Sequence, residues 1–315
     1  MIYKRISRYS LYPSELVLFL YLLITSVLDL ILILCSKSTI THFCLNSSFI
    51  LILFLLCLVN TYKESLWIKR VRYIFPILLC GWLYIDTFHY NRCFENVDFL
   101  FAHYEQNILS FQTFSLCTEL LPQLYINEAM YFGYMLFPVV VLIFVSMMLF
   151  KYPNECNKAM FILIFSLLLY FLFFLFIPVV GPRLYFQIIG FDQARIGNFL
   201  PIGTFFYPLV NYEGVKEVSG VCSKFFYSLC YIFERPTGAF PSCCIGIISI
   251  IFLYFIKYHK YHLLWYAPLY CFILISTLCI KFHYTIDIVG GLLTSYFFYS
   301  ISLQMYEKMQ AKKEF

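Results

Sequence analysis

The sequence runs to 315 residues, of which 62% are hydrophobic, 22% aromatic and only 12% charged. Soluble domains carry about a quarter of their residues as Asp, Glu, Lys and Arg, so this composition excludes an ordinary soluble fold and points to an integral membrane protein. The 22 Lys and Arg against 17 Asp and Glu leave a formal charge of +5, gathered in short clusters without the basic stripe that a nucleic-acid partner needs.

A hydrocarbon core of ~30 Å takes roughly 20 helical residues per crossing. Taken in chain order, eight spans are expected, near 12–35, 44–60, 73–90, 129–150, 159–180, 240–256, 264–281 and 284–303. The first apolar run, Leu11 to Cys35, is of spanning length and lacks a small-x-small cleavage site, so no cleavable signal peptide is expected. The third span is the weakest, because Asp86 and His89 sit near its end. Domain division follows: an N-terminal transmembrane pair over 1–72 and a membrane domain over 73–315.

Loop charge alternates along this series. Lys4, Arg5 and Arg8 precede the first span, Lys63, Lys69, Arg70 and Arg72 the third; Lys151 and Lys158 follow the fourth, Lys257 and Lys260 the sixth, and Lys308, Lys312 and Lys313 close the chain. The positive-inside rule puts all five groups, and both termini, in the cytoplasm. Segment 91–128, with Glu95, Asp98, Glu105, Glu119 and Glu128 against Arg92, and segment 181–239 are then exoplasmic. Their Phe, Tyr and Leu content predicts interfacial helices.

The thirteen cysteines show no C-x-x-C spacing, and most lie in apolar runs, where cysteine packs as a small hydrophobe. Cys93, Cys117, Cys222 and Cys230 fall outside the spans; a disulfide among them is open but not fixed by sequence. No cluster of Asp, Glu, His or Cys has metal-ligand spacing, and neither metal nor cofactor is expected.

Three polar marks are predicted to meet on the exoplasmic face. The fifth span ends in "IPVVGPRLYF" with Arg183, the sixth begins with Ser242 and Cys244, and "KFHYTIDIVGG" opens the eighth with Lys281, His283 and Asp287. His283 and Asp287 stand at i, i+4, within reach of each other on one side of a helix. A carboxylate on one ring nitrogen fixes the tautomer and makes the other nitrogen a base or nucleophile. Arg183 and Lys281 supply cationic donors for a phosphate dianion, and Ser242 with backbone N–H groups at a helix start completes an anion cradle.

"GPR", "GAFPSxxxG" and "HYTIDIVGG", in this order, resemble the type 2 phosphatidic acid phosphatase superfamily, and within it the branch of inositol phosphorylceramide and sphingomyelin synthases. The motif-bearing likeness covers 159–303, with a weaker one upstream through "NEAMYFGY" at 127–134. The resemblance implies an all-α polytopic membrane helix bundle, about eight transmembrane helices around a six-helix phosphatase-like core. It implies His283 as nucleophile, Asp287 as the acid orienting it, and Arg183 and Ser242 as phosphate ligands. Where the family has "PSxH", with a histidine that protonates the leaving group, this chain reads "PSCC", so Cys244 stands at the acid's position. The lysine expected seven residues before Arg183 is Phe176, and the third motif's arginine is Thr277, with Lys281 as a stand-in.

Bland readings stand beside these. Arg183 suits a snorkelling side chain, Ser242 a helix cap, Cys244 a packing residue, and Asp86, His89 and Glu128 either structural contacts or headgroup contacts. The expected activity is a lipid phosphatase or phosphotransferase, including inositolphosphotransferase chemistry, acting through a phosphohistidine on a lipid phosphate or phospholipid in a bacterial inner membrane, on its periplasmic side. The rival is a catalytically impaired lipid-phosphate binding or regulatory protein. A transporter ranks third, because paired broken helices with intramembrane charges are not seen.

Overall fold

The computed structural model describes residues 11–35, 40–62, 65–113, 124–206, 208, 220–233 and 235–314. Lys4, Arg5, Arg8, Lys63, Cys117 and Glu119 lie outside them. All regular elements among the described residues are helical. In chain order these are α1 (Pro13–Leu34), α2 (Ile40–Tyr62), α3 (Leu66–Asn91), α4 (Asp98–Leu109), α5 (Leu124–Phe150) and α6 (Cys156–Phe176). They continue as α7 (Pro182–Ile189), α8 (Phe191–Arg195), α9 (Val221–Phe233), α10 (Cys243–Tyr258), α11 (Leu263–Cys279) and α12 (Thr285–Glu314).

Seven helices among the described residues are long and apolar enough to cross a membrane, and the chain is an integral, multi-pass membrane protein. The sixth expected span is α10, an apolar helix of 16 residues. Pro76, Pro138 and Pro268 lie inside α3, α5 and α11, as membrane helices tolerate where neighbours re-satisfy the backbone. The third helix starts at Leu66, earlier than the hydropathy pattern suggested, because Trp67, Val71 and the stem of Arg70 continue an apolar face into the charged segment. Cys93 and Cys222 form no disulfide.

The chain divides into two compact units, one of residues 1–82, 145–168 and 300–315 and one of 83–144 and 169–299. In the first unit, buried polar groups are paired across helices. Asn46 on α2 donates to Asp29 Oδ2 on α1 at 2.9 Å, and the Ser166 and Ser302 hydroxyls meet at 3.1 Å. Arg72, counted above as a cytoplasmic loop cation, is instead 1% exposed inside α3 and donates through Nε at 2.7 Å and through Nη2 to the fully buried Glu15. Its guanidinium covers the Tyr12 ring, 3.9 Å from the centroid, and Tyr12 stacks on Tyr73.

The second unit has two apolar clusters. One gathers Phe88, Ala102, Val179, Leu184, Tyr185, Phe186 and Tyr284; the other holds Tyr131, Phe226, Tyr227 and Ile280. Short helices α4, α7 and α9 thus pack on the ends of longer ones.

Removing one member of a buried ion pair strands the other's charge, which costs about 3 to 5 kcal/mol. Arg72→Ala is therefore expected to lower unfolding stability in detergent by that amount; a loss under ~1 kcal/mol would mark the pair as solvated.

Candidate functional site

Sequence-distant segments are laced to one another in the second unit by backbone hydrogen bonds. Arg183 N donates to Lys281 O at 2.8 Å, joining "GPR" to "KFH". Ser242 N donates to Asp287 O at 3.0 Å, joining "FPS" to "TID", and Ala239 N donates to Val179 O at 3.1 Å. Glycines make the approach feasible. Gly181 sits at φ +91°, and a Cβ there would overlap the Phe282 carbonyl oxygen. Gly290 and Gly291 flatten the first turns of α12 against Phe240 and Ser242, where a Cβ on Gly291 would come 2.6 Å from Ser242 O. Lys281 itself takes the left-handed conformation at φ +66°, turning the chain from α11 toward α12.

His283 lies among these joints, 6% exposed. Its Nδ1 is 2.9 Å from Ala239 O and 3.6 Å from Asp287 Oδ2. A carbonyl oxygen only accepts, so Nδ1 carries a proton, and the tautomer this contact selects has its lone pair on Nε2. The hydrogen-bond partner of the ring is thus the Ala239 carbonyl of "GAFPS", with Asp287 one step farther. Asp287 Oδ2 accepts from Tyr284 N at 2.8 Å, closing the turn that starts α12, while its buried Oδ1 has no hydrogen-bond partner.

Arg183 is 5% exposed, its guanidinium flanked by the rings of Phe282, 4.8 Å to the centroid, and Tyr227, 5.7 Å. Two aromatic faces hold a cation flat and attract it electrostatically. Ser242 is the N-cap of α10, with Ile245 N 3.5 Å from its hydroxyl, a long cap bond. Cys244, in the first turn of α10, lies 3.5 Å from the Tyr134 hydroxyl. Lys281 extends toward α8, its Nζ 5.3 Å from the Phe191 ring.

The remaining expected residues serve other joints. Glu128 caps α9, accepting from Cys222 N at 2.6 Å and Ser223 N at 3.2 Å, and so holds the helix that brings Tyr227 to Arg183. Asp86 accepts from Tyr90 at 3.2 Å, and His89 packs edge-on against the same ring. Among the described residues no group of three or more His, Cys, Asp and Glu is placed to hold a metal ion.

Two carboxylates read above as loop acidity prove to be buried supports. Asp98, fully buried, accepts from Val180 N and Gly181 N at 2.8 Å each, from Asn96 Nδ2 at 2.6 Å and from the Tyr284 hydroxyl at 3.1 Å. Desolvation pushes its carboxyl up to about 6, against the pull of those four donors. Glu105 accepts from Thr285 N and Thr113 N, both at 2.7 Å. One signal was available: Asp98 and Glu105 stand seven residues apart, on one face of a helix, with Ala102 between them.

The family model described as the PAP2 superfamily matches residues 111–301. It starts well before the motif-bearing part and takes in Glu128, Tyr134 and every candidate residue of the three motifs. No curated protein and no solved structure matches the chain.

Gly181→Ala combines backbone strain with overlap, whereas Gly197, at φ +76°, has open space around a Cβ. Thermal unfolding in detergent is expected to rank Gly181→Ala as the costlier by about 2 kcal/mol or more. Equal costs would mean that the close approach of Gly181 to Phe282 is not tight.

Proposed function

Because the chain belongs to the PAP2 superfamily, we propose that it is a membrane lipid phosphatase or phosphotransferase that works through a phosphohistidine on His283. Membership supports phosphatase-type chemistry in general. The observation that carries the finer reading is the hydrogen bond from His283 Nδ1 to Ala239 O, since it leaves Nε2 as the nucleophile.

In the proposed cycle, Nε2 attacks phosphorus as the bond to the leaving oxygen breaks, and the phosphoryl group moves to the ring. Water then attacks in a phosphatase, or an alcohol in a synthase-like enzyme, returning the lone pair to Nε2. Arg183, held between its two rings, offers N–H donors to the phosphoryl oxygens, with Lys281 and the Ser242 hydroxyl as further ligands. Asp287 supports the positive charge that the ring acquires on phosphorylation. The proposal puts the site on the exoplasmic side, a reading supported by the loop cations other than the buried Arg72, and the missing lysine at Phe176 favours the synthase-like branch.

The leaving oxygen still needs a proton. At the position of the family's histidine lies Cys244 beside the Tyr134 hydroxyl, and neither is a strong donor to an alkoxide. That observation favours one second reading: a member that binds lipid phosphates with little turnover. General acid catalysis is typically worth about 10² to 10⁴-fold, so its loss leaves slow chemistry.

Phosphate release and headgroup transfer by purified protein, measured over phosphate monoesters, diphosphates and phospholipids, tests the proposal. Activity on at least one class, abolished in His283→Ala, is expected; activity surviving that substitution refutes the phosphohistidine. Cys244→His is expected to raise turnover of monoesters with poorly acidic alcohol leaving groups by up to ~10² to 10⁴-fold, with a smaller gain on diphosphates. Inactivity of both wild type and folded Cys244→His on every lipid supports the binding reading.

A further inference from the structure

Asp98 and Glu105 lie outside the residues matched by the family model and outside the three motifs, yet they touch the residues that flank Arg183 and His283. Asp98 holds Val180 and Gly181, just before Arg183, and Tyr284, just after His283. Glu105, two turns along the same face of α4, holds the next amide, Thr285 N, which opens α12. Ala102, fully buried between them, lets α4 lie close to both segments.

We infer that Asp98 is a positioning residue: its carboxylate fixes the segment bearing Arg183 against the segment bearing His283, and Glu105 locks the helix start that follows. Its catalytic meaning rests on the phosphatase reading; its geometry does not. The donor set supports the assignment. Each Asp98 oxygen receives two donors, Val180 N and Asn96 Nδ2 on one, Gly181 N and Tyr284 Oη on the other. A carboxylate alone among side chains of this size accepts four such bonds at once. An amide in its place turns an NH2 toward two donors and breaks at least one tie. The next joints reach the nucleophile itself: Val179 O accepts from Ala239 N, and Ala239 O accepts from His283 Nδ1.

A proton on the carboxyl acts like the amide. Its O–H faces donors, of which only the Tyr284 hydroxyl can turn round and accept. Tyr284 is the titratable group bonded to Asp98; Tyr185 on α7, Asp287 on α12 and Glu105 on its own helix act on the same buried charge network. Because burial holds Asp98 near 6, the ties weaken as pH falls through that value and are complete above it.

The test compares wild type with Asp98→Asn in lipid nanodiscs, using 15N-histidine NMR with His283→Ala to assign the signal. Above neutral pH, wild type is expected to show one His283 tautomer, protonated at Nδ1, and Asp98→Asn an average of two. Turnover on whichever lipid the panel identifies is expected to fall roughly 10²-fold, as a misplacement of about 1 Å does, and the acid limb near pH 6 to vanish in the variant. A folded Asp98→Asn with the wild-type tautomer and acid limb overturns the inference. Should that variant not fold, Tyr284→Phe removes one of the four donors and is expected to shift the tautomer in the same direction by less; an unchanged signal there overturns it equally. Wild type inactive on every lipid sinks the phosphatase reading, while the tautomer comparison still decides the role of Asp98.

Discussion

Backbone amides in a chain surrounded by hydrocarbon have no water to fall back on, so each must find a protein acceptor. Where helices end, several amides and carbonyls lose their helical partners at once. The candidate site is where such ends satisfy one another: Arg183 N on Lys281 O, Ser242 N on Asp287 O, Ala239 N on Val179 O. Distances among the side chains that follow are inherited from those bonds. Gly181 and Gly291 are required because a Cβ would meet the backbone carbonyls of Phe282 and Ser242 and hold the chains apart, while Gly290 leaves room for the Phe240 ring.

Charge is handled by the same logic. Asp98 and Glu105 are spent on amides that no helix can satisfy, and Glu128 on the first amides of α9. Arg183 is kept between aromatic faces, where a cation keeps favourable contact without giving up all its N–H donors. A buried acid is costly, and a donor set as complete as that of Asp98 offsets much of the cost.

Long helices were legible because an apolar run of spanning length has few other fates, and the motif residues were legible because Arg, Ser, His and Asp at helix ends are expensive to bury without purpose. What misled was loop charge. Asp98, Glu105 and Arg72 look, in one dimension, like the solvated charges that set topology; burial in each case depends on partners far along the chain, Val180, Thr285 and Glu15. His283 and Asp287 do lie near each other, 3.6 Å apart, but not across a helical turn as expected: His283 precedes α12, which starts at Thr285, and the nearer Ala239 O takes the ring proton. Glu128 was read as one of the loop acids and a candidate headgroup contact; its task as a cap needed the position of α9.

The Glu15–Arg72 pair bears on how the chain enters the bilayer during synthesis. When α1 emerges from the ribosome its glutamate has no counter-ion, because Arg72 belongs to α3 and has yet to be translated. Asp29 finds Asn46 as soon as α2 follows, so the first hairpin can settle one of its two acids early. A glutamate left facing lipid disfavours partitioning by up to a few kcal/mol, most strongly at the bilayer centre. The Glu15–Arg72 pair can therefore form only once α1 and α3 are both in place, although Glu15, in the first turn of α1, already accepts from Tyr12 N within its own helix start.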